Sequence, residues 1–349
     1  MRTAYRSALF VVLGLAIVAA VIVAVGPGRT LHALRDVHLP RLLLGAAILP
    51  AIWTLRILRW CVLLRAAGGR ASLGGLLTSY CLGAAAGMLT PARLGELSAS
   101  GMVGRAAGRG SAEGASAIAV DSAVTLMFLS VGGGVGAAYL QVHGLSQAWV
   151  EDVVLGAVLV LALLAIALMA GVQGWAGLTT LCAAVARLSS GTKGLAWLNR
   201  AAATAATQWL PRLHESAAQI RSARMAWVVL LCLAAMTLAA QAAAYYFMVT
   251  SVLNAPWPLV VACFLLAFAA AQGSGLPGGG GVGAATFVAA ASSAGCDPAQ
   301  AAAGAVAAGA VAAIFAWGAA GVSLAVRMTQ AARVPPQLAG QCRSEATGK

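Results

Sequence analysis

The sequence predicts an all-α polytopic membrane protein, with about six spanning helices and two re-entrant helical hairpins in a pseudo-inverted repeat. Three observations predict it. Of 349 residues, 61% are hydrophobic and 9% charged, where a soluble protein carries about 25% charged residues. Apolar runs long enough to cross ~30 Å of hydrocarbon recur at about 8–26, 42–58, 113–140, 153–172, 226–250 and 299–326. Two further apolar segments are interrupted: 72–105 at Thr90-Pro91, and 257–295 at the glycine-rich run from Gly273 to Gly281.

The first run follows Met1-Arg2 and Arg6 and covers Leu9–Val25. It is longer than the apolar region of a secretory leader, so it reads as a retained first helix. The second ends on Arg56, Arg59 and Trp60. The third contains Asp121 and the small residues Gly132, Gly133, Gly134 and Gly136, which allow close helix packing. Between the fourth and fifth runs lies 173–224, where Trp175, Trp197 and Trp209 alternate with Arg187, Lys193, Arg200 and Arg212. That mixture fits helices lying in the cytoplasmic interface, and equally a partly ordered loop. One transmembrane domain over 1–328 is expected, with half-repeats of about 8–140 and 153–326. Residues 329–349, with Pro335-Pro336, read as a disordered cytoplasmic tail.

The net charge of +13, from 22 basic and 9 acidic residues, orients these spans. With both termini cytoplasmic, the basic residues gather in 1–7, 59–112, 173–224 and 327–349, as the positive-inside rule requires. This accounts for the charge without nucleic acid. It also requires each interrupted segment to enter and leave on one side. Each half then reads span, span, hairpin, span, and the second half is inverted relative to the first. The spacing agrees: Pro91 to Asp121 and Pro277 to Ala307 are both 30 positions.

The seven cysteines and four histidines form no metal-ligand or disulfide pattern. No Walker-type phosphate loop is present, and the G-x-G-x-x-G at 273–278 has apolar helical flanks rather than a strand before it. No cofactor and no enzymatic nucleophile–base pair is expected; only Asp121 and Glu96 are placed to serve as acid or base.

The chemistry-bearing residues lie at the breaks. Thr90 and Pro91 are the residues of a helix start, and a helix N-terminus at membrane depth attracts an anion. Arg93 adds a guanidinium fork suited to phosphate, and Glu96, three residues on, is placed to hold it. The alternatives are a purely structural Arg93–Glu96 pair and a plain cytoplasmic loop. Gly278, Gly279, Gly280, Gly281 and Gly283 offer backbone N–H groups for a second anion nest, with a helix restarting near Ala284. Arg56 and Arg59 read as snorkelling basic residues beside an interfacial Trp60, or as headgroup ligands. An intramembrane carboxylate such as Asp121 is a functional candidate by default, paired with Arg93 or Arg56, or a structural counter-ion.

These residues carry a resemblance. Arg56-x-x-Arg59-Trp60 with Leu63-Leu64, then Pro91-Ala92-Arg93-Leu94-Gly95-Glu96, then Leu276-Pro277 with its glycines and Val282-Gly283, resemble the lysylphosphatidylglycerol synthase/flippase-like membrane domain family over about 8–328. The chain departs from that pattern at Met88, around Asp121, Ser122 and Thr125, at Thr286, and in the charge-free stretch Ala301–Ala313. The resemblance implies the flippase half alone, without an aminoacyl-transfer domain. The expected function is movement of a lipid between leaflets of a bacterial-type inner membrane, without ATP hydrolysis. The lipid would be an anionic phospholipid, a hopanoid or a polyprenyl-linked lipid. The alternative is a non-catalytic accessory of a lipid- or glycolipid-modifying enzyme. Expected partners are membrane lipids, with such an enzyme or a second copy of the chain.

Overall fold

The computed structural model describes residues 16–89, 96, 99–145, 148–172, 210–274 and 281–332. They form twelve helices, and no strand occurs among the described residues. In chain order these are α1 Ala16–Val25, α2 Pro27–Arg35, α3 Leu39–Ala66, α4 Leu73–Leu89, α5 Ser100–Ala106 and α6 Ser111–Val142. There follow α7 Ala148–Val172, α8 Leu210–Ser222, α9 Arg224–Val249, α10 Trp257–Gly273, α11 Val282–Ser293 and α12 Pro298–Ala332.

Among the described residues, α3, α6, α9 and α12 are long and apolar enough to cross a membrane, and α1–α2, bent by 92° around Gly26, makes up to a fifth. Helix α7, 25 residues of apolar sequence, falls on the remaining expected run. Large apolar side chains on these helices stay exposed, among them Leu43, Val131, Leu163, Val228 and Ile314. In a soluble fold so much exposed apolar surface would be a liability; against lipid it is the solvent-matched face. The two interrupted segments become pairs of short helices, α4 with α5 and α10 with α11.

Close backbone contacts hold the bundle. Helix α3 runs against α9, where a Cβ on Gly45 would fall 2.7 Å from the Ala244 carbonyl oxygen. Helix α6 packs on α7 and α10, and a Cβ on Gly136 would fall 2.7 Å from the Ala262 carbonyl oxygen. Of the glycines read as packing residues in α6, Gly132, Gly133 and Gly136 pack closely, whereas a Cβ on Gly134 would meet nothing within 4 Å; Gly136→Val is expected to lower the yield of monodisperse protein in size-exclusion chromatography several-fold. Helix α12 contacts α2, α4, α9 and α11. The two ends of the first helix pair are joined: Arg70 N–H donates to Ala107 O and Ser72 N–H to Ala106 O, both at 3.0 Å. The Arg109 guanidinium caps Gly68 O at 2.6 Å. The second pair begins and ends in one cluster, in which Ala255 and Val260 lie with Ala294 and Cys296.

Three expectations change. Helix α12 continues through Ala332, beyond the expected end of the domain at 328, because Met328–Ala332 contains no helix breaker. The C-terminal part of the 173–224 segment does not only lie on an interface: Leu213, Ser216, Ala217 and Ile220 of α8 are buried, and α8 packs on α6. Trp60 is not an interfacial aromatic but lies 1% exposed in the core. The remainder, 173–209, and the tail from 333 lie outside the described residues.

Candidate functional site

The site grows from one face of α3. Arg56 and Arg59 stand three apart, close to one turn, so both leave the helix on neighbouring sides. Both are buried, at 8% and 2% exposure, so the snorkelling reading fails. A buried guanidinium needs a counter-charge and hydrogen-bond acceptors, and the fold supplies a different set to each.

Arg59 turns to α6. Its Nη2 lies 2.7 Å from Asp121 Oδ1, a contact of charges. Its N–H bonds run instead to Asp121 O at 3.1 Å and to Thr125 Oγ1 at 2.6 Å. Trp60 Nε1–H donates to Asp121 Oδ2 at 3.2 Å, and Thr125 Oγ1–H donates to Asp121 O at 2.8 Å. This set ties α3 to α6, and among the described residues the ion-pair partner of Asp121 is Arg59 rather than Arg56; Arg59 Nε and Asp121 Oδ1 are left without a hydrogen bond.

Arg56 faces the other way. It donates from Nη1 to Tyr80 Oη at 3.2 Å, its guanidinium lies 5.6 Å from the Tyr80 ring centroid, and Nη2 is 3.7 Å from Glu96 Oε2. Tyr80 is itself locked edge-on between Trp53 and Trp60, with centroids 5.1 and 5.3 Å away. Glu96 was expected to hold Arg93; the described partner of its carboxylate is Arg56. Thr90, Pro91, Arg93, Gly278, Gly279 and Gly280 lie outside the described residues.

Arg56 and Glu96 line a partly open chamber of about 490 Å³ bordered by α3, α4, α9, α10 and α12. Tyr80, Trp53 and Gln241 add polar or amphipathic atoms to its wall. A second chamber of about 530 Å³ lies between α9, α10, α11 and α12, with Val18 of α1 at its edge. Its lining is alanine, glycine, valine, methionine and aromatic side chains. Tyr245, Phe264, Phe268, Gly281 and Gly309 border both chambers, so the two adjoin. Between Arg56, Arg59, Thr125, Gln241 and Gln272 a void of about 20 Å³ has room for one water.

Gly281 sits where the two chambers meet and N-caps α11 with φ 77°. A side chain would be strained there, so glycine is required by the backbone as well as by space. Helix α11 starts at Val282, two residues before the expected Ala284. Gly283 serves packing, since its Cβ would fall 3.1 Å from Ala271 Cβ, and it also borders the apolar chamber.

The structure thus brings together Arg56, Arg59, Glu96, Asp121, Gly281 and Gly283 around one region of the bundle. Sequence reasoning missed Tyr80, Gln241 and Gln272. Each is polar within an apolar run, a signal the sequence carries; Tyr80 is buried, and Gln241 and Gln272 are half-buried.

The chain matches the family described as "Lysylphosphatidylglycerol synthase TM region" over residues 11–320 and belongs to it. No curated protein and no solved structure is significantly similar to it. The family is a membrane domain associated with lipid modification or transport, and the chain is a membrane-embedded, multi-pass member.

Proposed function

From that membership we propose that the chain is a lipid transporter that moves an amphiphile between leaflets without ATP hydrolysis, and is not itself an enzyme. One observation carries this reading: a chamber holding Arg56 and Glu96 adjoins an apolar chamber of similar size inside a membrane bundle. The first suits a headgroup with a phosphate, and the second suits a hydrocarbon chain. The proposed partners are membrane lipids, and the proposed location is a bacterial-type inner membrane with both termini cytoplasmic.

The helix contacts support the inverted repeat that transport calls for. Exchange α3 with α9, α4–α5 with α10–α11, and α6 with α12. The packing of α4 on α12 then becomes that of α10 on α6, and α5 on α6 becomes α11 on α12. Likewise α3 on α6 becomes α9 on α12, α3 on α4 becomes α9 on α10, and α3 on α12 becomes α9 on α6. The α3–α9 contact maps onto itself, as a pair astride a two-fold axis must. With three spans in each half, such an axis lies in the membrane plane. The hydrogen bonds joining 70 and 72 to 106 and 107 favour a first hairpin that enters and leaves on one side.

Topology is checked by labelling single cysteines in a cysteine-free background. Ser72→Cys and Arg109→Cys are expected to react from one face, and His143→Cys and Asn254→Cys from the other. Labelling of 72 and 109 from opposite faces would sink the hairpin and the repeat.

Transport is checked in vesicles containing only the purified chain and labelled phospholipids. Labelled lipid is expected to change leaflet. Gly309→Phe, at a position where a new Cβ meets nothing within 4 Å, is expected to fill the junction of the chambers. It should slow movement several-fold while the protein elutes normally. An inert chain that co-purifies with a lipid-modifying enzyme would instead favour an accessory role.

A further inference from the structure

The two ion pairs on α3 differ in a way that separates scaffold from ligand site. Asp121 is held by Arg59 and by Trp60 Nε1–H, and its backbone carbonyl accepts from both Arg59 and Thr125. That pair is sealed, with side chains 2% and 3% exposed. The Arg56–Glu96 pair is looser. Its closest approach is 3.7 Å, beyond hydrogen-bond length, and both residues line the 490 Å³ chamber. Arg56 has one hydroxyl partner in Tyr80, which leaves most of the five guanidinium N–H donors to other acceptors. It stands where an anion entering the chamber would meet it.

We propose that Glu96 is a placeholder: its carboxylate neutralises Arg56 while the chamber is empty and is displaced when the phosphate of a lipid headgroup takes the guanidinium. This rests on the reading of the chamber as a headgroup site. It assigns Arg56 as the anion ligand and Glu96 as its internal competitor. A phosphate oxygen pair fits the guanidinium fork at hydrogen-bond distance, which the carboxylate at 3.7 Å does not achieve. The exchange preserves a counter-charge on Arg56 at every stage. A bare guanidinium never faces hydrocarbon, and release is assisted because Glu96 returns. The Arg59–Asp121 pair keeps its own charges balanced and leaves α3 fixed while the exchange takes place.

The placeholder role and a positioning role predict opposite signs. A competitor weakens anion binding, so removing its charge tightens it; a residue that orients Arg56 strengthens binding, so removing it weakens it. The purified full-length chain in phosphatidylcholine nanodiscs is titrated with dihexanoyl-phosphatidylglycerol, and separately with inorganic phosphate. The signal is tryptophan fluorescence, since Trp53 and Trp317 line the chamber. Glu96→Gln is expected to lower the apparent Kd for the short-chain lipid by at least about threefold, and Arg56→Gln to raise it by about tenfold or more. The Glu96→Gln gain should vanish in the Arg56→Gln background. Tightening toward the lipid but not toward phosphate identifies a lipid headgroup as the occupant. Equal tightening toward both identifies the phosphate group alone as what is recognised.

A Kd that is unchanged or raised in Glu96→Gln overturns the proposal. If that variant does not fold, Glu96→Asp, whose shorter side chain withdraws the carboxylate, replaces it with the same expected sign. Wild-type protein that binds the short-chain lipid, with Glu96→Gln binding it more tightly, but moves no labelled lipid in vesicles would end the transport reading and leave the placeholder standing.

Discussion

Asp121→Ala is expected to abolish most of the folded protein. The change leaves the Arg59 guanidinium 2% exposed inside the bundle with Thr125 and a carbonyl as its partners, and it strands the Trp60 indole N–H. Removing one member of a buried pair costs about 3–5 kcal/mol, a large share of a typical folding free energy. The measurement is yield and melting temperature after size-exclusion chromatography in detergent. Because the loss comes from an uncompensated charge and not from the missing attraction, Arg59→Met combined with Asp121→Leu is expected to recover much of the folded yield that either single change destroys. Asp121→Ala protein that melts at the wild-type temperature would show that the pair is not part of the scaffold.

Arg56→Gln is expected to do the reverse, sparing the fold and stopping the function. Glutamine retains a donor for Tyr80 Oη and a planar group against its ring, so the aromatic lock with Trp53 and Trp60 persists. What disappears is the charge that faces the 490 Å³ chamber. A hydrogen bond to a charged group is worth about 1.5–3 kcal/mol, which corresponds to a slowing of one to two powers of ten in lipid movement. Arg56→Lys keeps the charge and loses the fork, so an intermediate rate is expected for a phosphate-bearing lipid. Wild-type transport by well-folded Arg56→Gln would remove Arg56 from the site.

Much of the fold was legible because lipid imposes a one-dimensional rule. A span needs a long apolar run, and such runs stand out from composition alone. The expected runs at 42–58, 113–140 and 299–326 fall inside α3, α6 and α12, the run at 226–250 matches α9 to within one residue, and the breaks at 90–91 and 273–281 fall at the junctions within the two pairs of short helices. The identity of the charged residues was equally plain, since Arg56, Arg59, Glu96 and Asp121 stand out in a chain that is only 9% charged.

Partnership was not legible. Local spacing pointed Glu96 to Arg93, which lies outside the described residues, and gave no sign of Arg56, which the fold brings up from 40 positions earlier. Local spacing read Arg56 and Arg59 together, as snorkelling residues at the end of a span or as headgroup ligands, with Arg56 a full turn inside the apolar run. The structure separates them, because α3 continues to Ala66 and buries both, one against Asp121 of α6 and one beside Tyr80 of α4. Trp60 shows the same limit. An aromatic next to arginines fits a membrane interface by composition, and only the approach of Asp121 makes it a buried donor. The chambers arise from the crossing of α3, α4, α9, α10, α11 and α12, whose contacts span both halves of the chain. Hydrophobicity is a property each residue carries with it, so the sequence alone determined which segments enter the membrane. Charge pairing depends on distance in three dimensions, so the tertiary structure alone decided which arginine seals the bundle and which one faces the chamber.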